Sequence, residues 1–210
     1  MEPHKSAKVL DLGCGDGSFT LRIGEKVGTT ELYGVEIEDE LVQLCEPNGV
    51  KAYHADLNEP LPLDTESFDI VTGNQVLEHL WRTDLFVKEV HRVLRREGYA
   101  IISTPNLATW HNILCIILGY QLFATGISDE INLGNPFSTE YKLKTYGGLY
   151  DAHHRVFTYK GLMELFEYHG FRVEKIAGAG YFPFPLKLGR FLSRVDPKHS
   201  MFLTMKARKI

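Results

Sequence analysis

Between Val9 and Phe19 the chain reads VLDLGCGDGSF, with glycine at positions 13, 15 and 17. An apolar run ends there and a helical pattern begins, so the three glycines occupy a strand-to-helix turn. With no side chains at these positions, a ligand can come close to the backbone and to the N–H groups that open the helix. A tight turn without a ligand would use the same residues. The dinucleotide turn G-x-G-x-x-G places its third glycine one residue later, so this spacing differs from it. Polar residues follow at successive strand ends. Glu36 closes the second apolar run, where a carboxylate accepts from both hydroxyls of a ribose. Asp56, in HADLNEPL, is placed to accept from an exocyclic adenine amine, or else serves as a turn residue. Asn74 and Gln75 follow the fourth run, at the strand ends where this class of sheet opens its ligand crevice.

Histidine is the side chain best suited to take a proton from an acceptor near neutral pH. Four are candidates: His79, about one helical turn after the fourth strand; His111, in an apolar helical segment; and the adjacent His153 and His154. His79, His153 and His154 are the expected catalytic set, and a surface or structural role is the plainer reading of each taken singly.

These residues need a scaffold that brings several strand ends together. Apolar runs at 8–12, 32–36, 50–54, 68–72 and 99–103 alternate with helical spacing at 18–27, 40–46 and 84–95. Such alternation implies βαβ units and a parallel sheet with right-handed crossovers. Gly98 is expected to end the third helix. Thr158 is expected to cap a helix over 160–169 that Gly170 closes. Strands at 171–176 and 200–208 finish the chain, joined through a segment rich in proline, glycine and aromatics with no obvious crossover helix. Strands joined without a crossover are normally antiparallel. The fold class is therefore α/β: a Rossmann-like, seven-stranded, mostly parallel sheet with an antiparallel last strand and helices on both faces. All 210 residues form one domain. Residues 106–156 break the rhythm and are read as a lid or substrate-binding insertion after the fifth strand. Its apolar part, Ile113–Phe123 with Trp110, Tyr120, Phe137, Tyr141, Tyr146 and Tyr150, would line a pocket for a greasy or aromatic acceptor, pack on the sheet, or meet a second subunit or a membrane surface.

Composition narrows the class. A formal net charge of −4 provides no global positive field for nucleic acid. Arg92, Arg95 and Arg96 read as a solvated helix face. Cys14, Cys45 and Cys115 form no C-x-x-C pair, so neither a structural zinc nor a disulfide framework is expected, and a reducing cytoplasm fits best. The N-terminus has no signal-peptide pattern, and no apolar stretch is long enough to span a bilayer.

The motifs DLGCGDG, YGVEIED, HADL, FDIVTGNQVLEHL and LRREGYAIISTPN, in this order and spacing, resemble the class I S-adenosylmethionine-dependent methyltransferases over most of the chain. Its relatives here are small-molecule O-methyltransferases of the ubiquinone-biosynthesis type and, through STPNLATW and HRVFTYKGLMELFEYHGFRV, glycan- and lipid-modifying enzymes. The resemblance implies S-adenosylmethionine as cofactor. Asp11 with Gly13, Cys14, Gly15 and Gly17 would hold its methionine part, Glu36 and Ile37 its ribose, Asp56 and Leu57 its adenine, with Asn74 and Gln75 closing the site. It implies methyl transfer to a small-molecule or lipid-like acceptor, through an oxygen nucleophile. A homodimer is compatible with it. Some members carry Glu-x-x-Glu-His and bind a divalent metal. Here Gln75, a neutral and poorer ligand, replaces the first acid before Glu78 and His79, so no metal is expected. The competing classes are an NAD-dependent oxidoreductase, opposed by the glycine spacing, and a non-catalytic cofactor-binding module.

Overall fold

The computed structural model describes residues 5–122, 125, 127–128, 133–136 and 153–210. The seven expected strands are present: β1 (Val9–Leu12), β2 (Leu32–Glu36), β3 (Lys51–His54), β4 (Phe68–Asn74), β5 (Leu94–Pro105), β6 (Phe171–Ala179) and β7 (Phe202–Lys209). They form one sheet in the order β3-β2-β1-β4-β5-β7-β6. β7 pairs antiparallel with both neighbours, and the other pairs are parallel. The expected architecture is thus observed.

Alternation along β1 explains why helices cover both faces. Val9 belongs to a core cluster with Ile23 and Val27 of helix α1 (Ser18–Val27) and Cys45 of α2 (Asp39–Cys45). Leu10 and Leu12 belong to the opposite cluster, with Phe86, Val87 and Val90 of α3 (Thr83–Val93) and Leu162 and Phe166 of α5 (Tyr159–Tyr168). Successive strand residues point to opposite faces, so both faces of a central strand must be apolar. In α1 the buried residues Thr20, Ile23, Gly24 and Val27 fall on one helical stripe. The cap of α5 is as expected: the Thr158 hydroxyl accepts from the Gly161 amide at 3.1 Å, and Gly170 follows the helix with φ of 85°.

Two elements differ from expectation. α3 ends at Val93, because Leu94 already has extended backbone angles and opens β5. Gly98 therefore lies inside β5, beside an irregularity in its pairing with β4. A β-carbon on Gly98 would stand 2.9 Å from the Arg95 carbonyl and 3.0 Å from that of Asp69, so glycine serves close backbone approach there, not a helix cap. Second, the link between β6 and β7 contains a helix, α6 (Leu186–Val195). It fully buries only Gly189 and Ser193 and half-buries Leu192, while Leu186, Leu188, Phe191 and Val195 face outward, so its hydrophobic pattern marks no core-facing stripe.

After β5, Trp110–Ile117 forms helix α4, whose N-cap Thr109 accepts from the Asn112 amide at 3.3 Å. α4 buries Asn112 and Cys115 and leaves Leu114, Ile116 and Ile117 exposed. Of the expected lid, residues 123–124, 126, 129–132 and 137–152, with Phe123, Phe137, Tyr141, Tyr146 and Tyr150 among them, lie outside the described residues. Among the described residues, no helix is long and apolar enough to cross a membrane. Two of the three arginines read as a solvated face are ties: Arg92, in the last turn of α3, pairs with Glu89 and donates to the Leu61 and Leu63 carbonyls, and Arg95 of β5 pairs with Asp69, while Arg96 is exposed.

Candidate active site

Connections run to opposite sides of β1 and β4, which leaves a crevice at their C-terminal ends. A cavity of about 270 Å³ opens there. Of the residues expected at a cofactor, Gly13, Glu36, Ile37, Asp56, Leu57, Asn74 and Gln75 line it, and His79 stands in the same wall. Asp11, Cys14, Gly15 and Gly17 lie behind or beside it.

The glycine turn is shaped by backbone conformation. Gly13, Gly15 and Gly17 all have positive φ, at 72°, 56° and 79°, a region L side chains rarely occupy. A β-carbon on Gly13 would lie 2.5 Å from Val76 Cγ2, while one on Gly15 would meet nothing within 4 Å. The Gly13 and Cys14 amides donate to the Val35 carbonyl, fastening the turn to β2. Glu36 completes the link. One carboxylate oxygen accepts from the Gly15 amide at 2.9 Å and the other from the Ile37 amide at 2.7 Å, so the acid is already oriented between the turn and β2.

Asp11 is the support beneath the turn. It is buried, and its two oxygens each accept a hydroxyl at 2.6 Å, from Thr20 of α1 and Thr72 of β4. Burial pushes its carboxyl up to about 6. The two hydroxyls oppose that rise, and the nearby Glu36 charge adds to it. The Cys14 side chain also points inward. Its sulfur lies 3.8 Å from Cys45 Sγ, and burial raises its thiol well above the ordinary range. What Cys14 offers a ligand is therefore backbone.

In the same lining, Asp56 Oδ1 accepts from the amide and the side-chain nitrogen of Asn58. Asn74 Oδ1 accepts from the Ser103 hydroxyl at 2.6 Å. Gln75 has φ of 56°, unusual for a residue with a side chain. Ser103 holds it there, accepting the Gln75 amide at its carbonyl and the Gln75 side chain at its hydroxyl.

The adjacent histidines diverge. His153 meets His79 edge to face, with ring centroids 4.9 Å apart. His154 stacks on Trp81 at 3.5 Å and does not join His79. The chain is pinned there because the His154 and Arg155 amides both donate to the Glu78 carbonyl. His111 sits apart, against Phe182, with its pKa lowered by burial.

Glu78 stands out beside this pair. It is 1% exposed, and neither carboxylate oxygen has a hydrogen-bond partner among the described residues. Burial pushes its carboxyl up to about 7. Glu78, His79 and His153 each bring one donor atom within 4.8 Å of the others. The sequence pairs Glu78 with His79, but His153 arrives from a distant segment and no local pattern announces it.

Residues 3–132 match a family model described as a methyltransferase domain. The chain is 30% identical over 193 residues to a probable S-adenosylmethionine-dependent methyltransferase of Mycolicibacterium smegmatis, covering 91% of this chain and 59% of that protein. It is 30% identical over 107 residues to a ubiquinone biosynthesis O-methyltransferase of Mesorhizobium japonicum, covering 50% and 43%. The chain thus spans three fifths or less of these relatives' length. A crystal structure of an S-adenosylmethionine-dependent methyltransferase from Mesorhizobium loti shares its fold, with a TM-score of 0.67 at 19% identity, covering 100% of this chain and 94% of that one.

Proposed function

This chain belongs to the S-adenosylmethionine-dependent methyltransferase family, and on that premise we propose that it transfers a methyl group to a small-molecule or lipid-like acceptor through an oxygen nucleophile. The observation that carries the reading is a single cleft lined by Gly13, Glu36, Asp56 and His79 together.

S-Adenosylmethionine, when bound, supplies the electrophilic methyl carbon, so the protein must position, desolvate and handle one proton. Glu36 accepts from the ribose hydroxyls, and its existing bonds to the Gly15 and Ile37 amides leave little reorganisation to make. Asp56 would accept from the adenine amine, and Leu57 beside it would flank the base. Gly15, where a β-carbon would meet nothing within 4 Å, would leave open space for the methionine part, and Asp11 holds the turn from below. Asn74 and Gln75, fixed through Ser103, close the wall nearest the acceptor.

His79 receives the acceptor's proton, and the edge-on His153 ring orients it. A second reading rests on the gathering of Glu78, His79 and His153. These residues would hold a divalent cation, which would lower the pKa of an acceptor hydroxyl.

Parallel calorimetric titrations with S-adenosylmethionine, S-adenosylhomocysteine and NAD test the cofactor assignment. Binding of the first two and not the third is expected. Binding of NAD alone, or of none, would overturn it. Oxygen acceptors are then screened by mass increase of the product.

A further inference from the structure

Helix α6 reads LKLGRFLSRV, and the residues it buries fully are its two smallest. Gly189 and Ser193 are buried, and the Ser193 hydroxyl donates to the Gly189 and Gly180 carbonyls. At 3.6 residues per turn, the remaining surface divides into two adjoining arcs. Leu188, Phe191 and Val195 share one at i, i+3 and i+7, and Lys187, Arg190 and Arg194 share the other at the same spacing. Phe191 is 61% exposed and Val195 68% exposed. Phe182 and Phe184, in the loop leading to α6, are exposed as well.

The helix contains no acidic residue, and among the described residues its three cations lie in no ion pair. A chain of net charge −4 thus concentrates three positive charges beside a solvent-facing apolar stripe. Its position matters too. β6 is antiparallel to β7, as β5 is, so β6 runs with β4 and β5. α6 follows the end of β6 and therefore lies at the end of the sheet where the cleft opens. The loop before α6 is tied to α4: Trp110 donates to the Tyr181 hydroxyl at 2.7 Å, and His111 meets the Phe182 ring.

We propose that α6, with Phe182 and Phe184, docks the protein on an anionic lipid surface. Phe191, Val195 and Leu188 enter the boundary between headgroups and acyl chains. Lys187, Arg190 and Arg194 meet lipid phosphates at its edge. A second copy is the poorer occupant, because its own α6 brings the same three cations and no acidic residue to pair with them. The docking needs no methyl transfer to occur, so it stands or falls separately from the function proposed above.

The test is co-sedimentation of the whole chain with two kinds of vesicle: phosphatidylcholine alone, and phosphatidylcholine with about a third phosphatidylglycerol. Binding to the anionic vesicles, weakened by salt, is expected. Replacing Lys187, Arg190 and Arg194 together by Gln should weaken it roughly a hundredfold. Phe191→Asp should weaken it about tenfold or more. S-Adenosylhomocysteine affinity and melting temperature should match the parent in both variants, which shows them folded. Equal binding to neutral and anionic vesicles would overturn the proposal. So would anionic binding that survives both variants, or a concentration-dependent dimer in sedimentation velocity that Phe191→Asp abolishes.

Discussion

The rings of His79 and His153 meet edge to face at 4.9 Å, although one follows β4 and the other closes the long segment before α5. Glu78, adjoining His79, turns its carboxylate into the protein and gives its backbone carbonyl to the amides of His154 and Arg155. One short stretch therefore aligns the distant segment and presents a histidine to the cleft.

If His79 takes the acceptor proton, His79→Ala lowers kcat by about a hundredfold or more and leaves S-adenosylhomocysteine affinity nearly unchanged. His154→Ala keeps near-parental turnover, since its ring packs on Trp81. Steady-state kinetics with parallel calorimetry checks both. Undiminished turnover in His79→Ala would remove this residue from the mechanism.

Exhaustive dialysis against a chelator separates a plain base from a cation held by Glu78, His79 and His153. The cation reading expects activity to fall and to return with a divalent metal, in proportion to metal bound by elemental analysis. Glu78→Gln and His153→Ala should each weaken that recovery by about tenfold or more. Activity indifferent to the chelator leaves His79 acting alone.

Gly15→Arg and Asp11→Ala should both abolish S-adenosylmethionine binding, for different reasons. Arginine would fill the open space at Gly15 and strain a backbone at φ of 56°. Alanine at position 11 would leave the Thr20 and Thr72 hydroxyls without their shared acceptor. Calorimetry reads both, and retained affinity in either variant would move the cofactor site elsewhere.

Asp11 also predicts a pH dependence. Its carboxyl is raised from 3.8 to about 6 in the folded protein, so the native state holds a proton that the unfolded chain has already released. Stability from this group is present below pH 3.8 and is lost as pH rises towards about 6. The loss approaches roughly 3 kcal/mol. Asp11→Asn should therefore remove a downward slope between those pH values, read as the difference between parent and variant in urea unfolding without cofactor. Glu174 runs the other way. The Arg208 and Lys206 cations hold its carboxyl down from 4.5 to about 2, so its contribution is present above pH 4.5 and is lost as pH falls from there to about 2. A variant whose pH profile parallels the parent's would refute the Asp11 assignment.

The amino-acid sequence by itself determined the sheet, its antiparallel last strand and one wall of the cleft. Gly13, Glu36, Asp56 and Gln75 each sit at a strand end, and strand ends in a parallel sheet converge whatever the loops do. Local chemistry suffices there: glycines admit positive φ, and a polar residue ending an apolar run faces the crevice. The helix α6 was hidden because Leu186, Leu188, Phe191 and Val195 turn to solvent while glycine and serine face inward, reversing the usual pattern. Gly98 was misassigned because neighbouring carbonyls, not chain direction, require it. Only the tertiary structure decided which of two adjacent histidines meets His79, and that Glu78 is buried with no hydrogen-bond partner for either carboxylate oxygen among the described residues. Those outcomes depend on contacts between segments far apart in the chain, which residue type and spacing leave open.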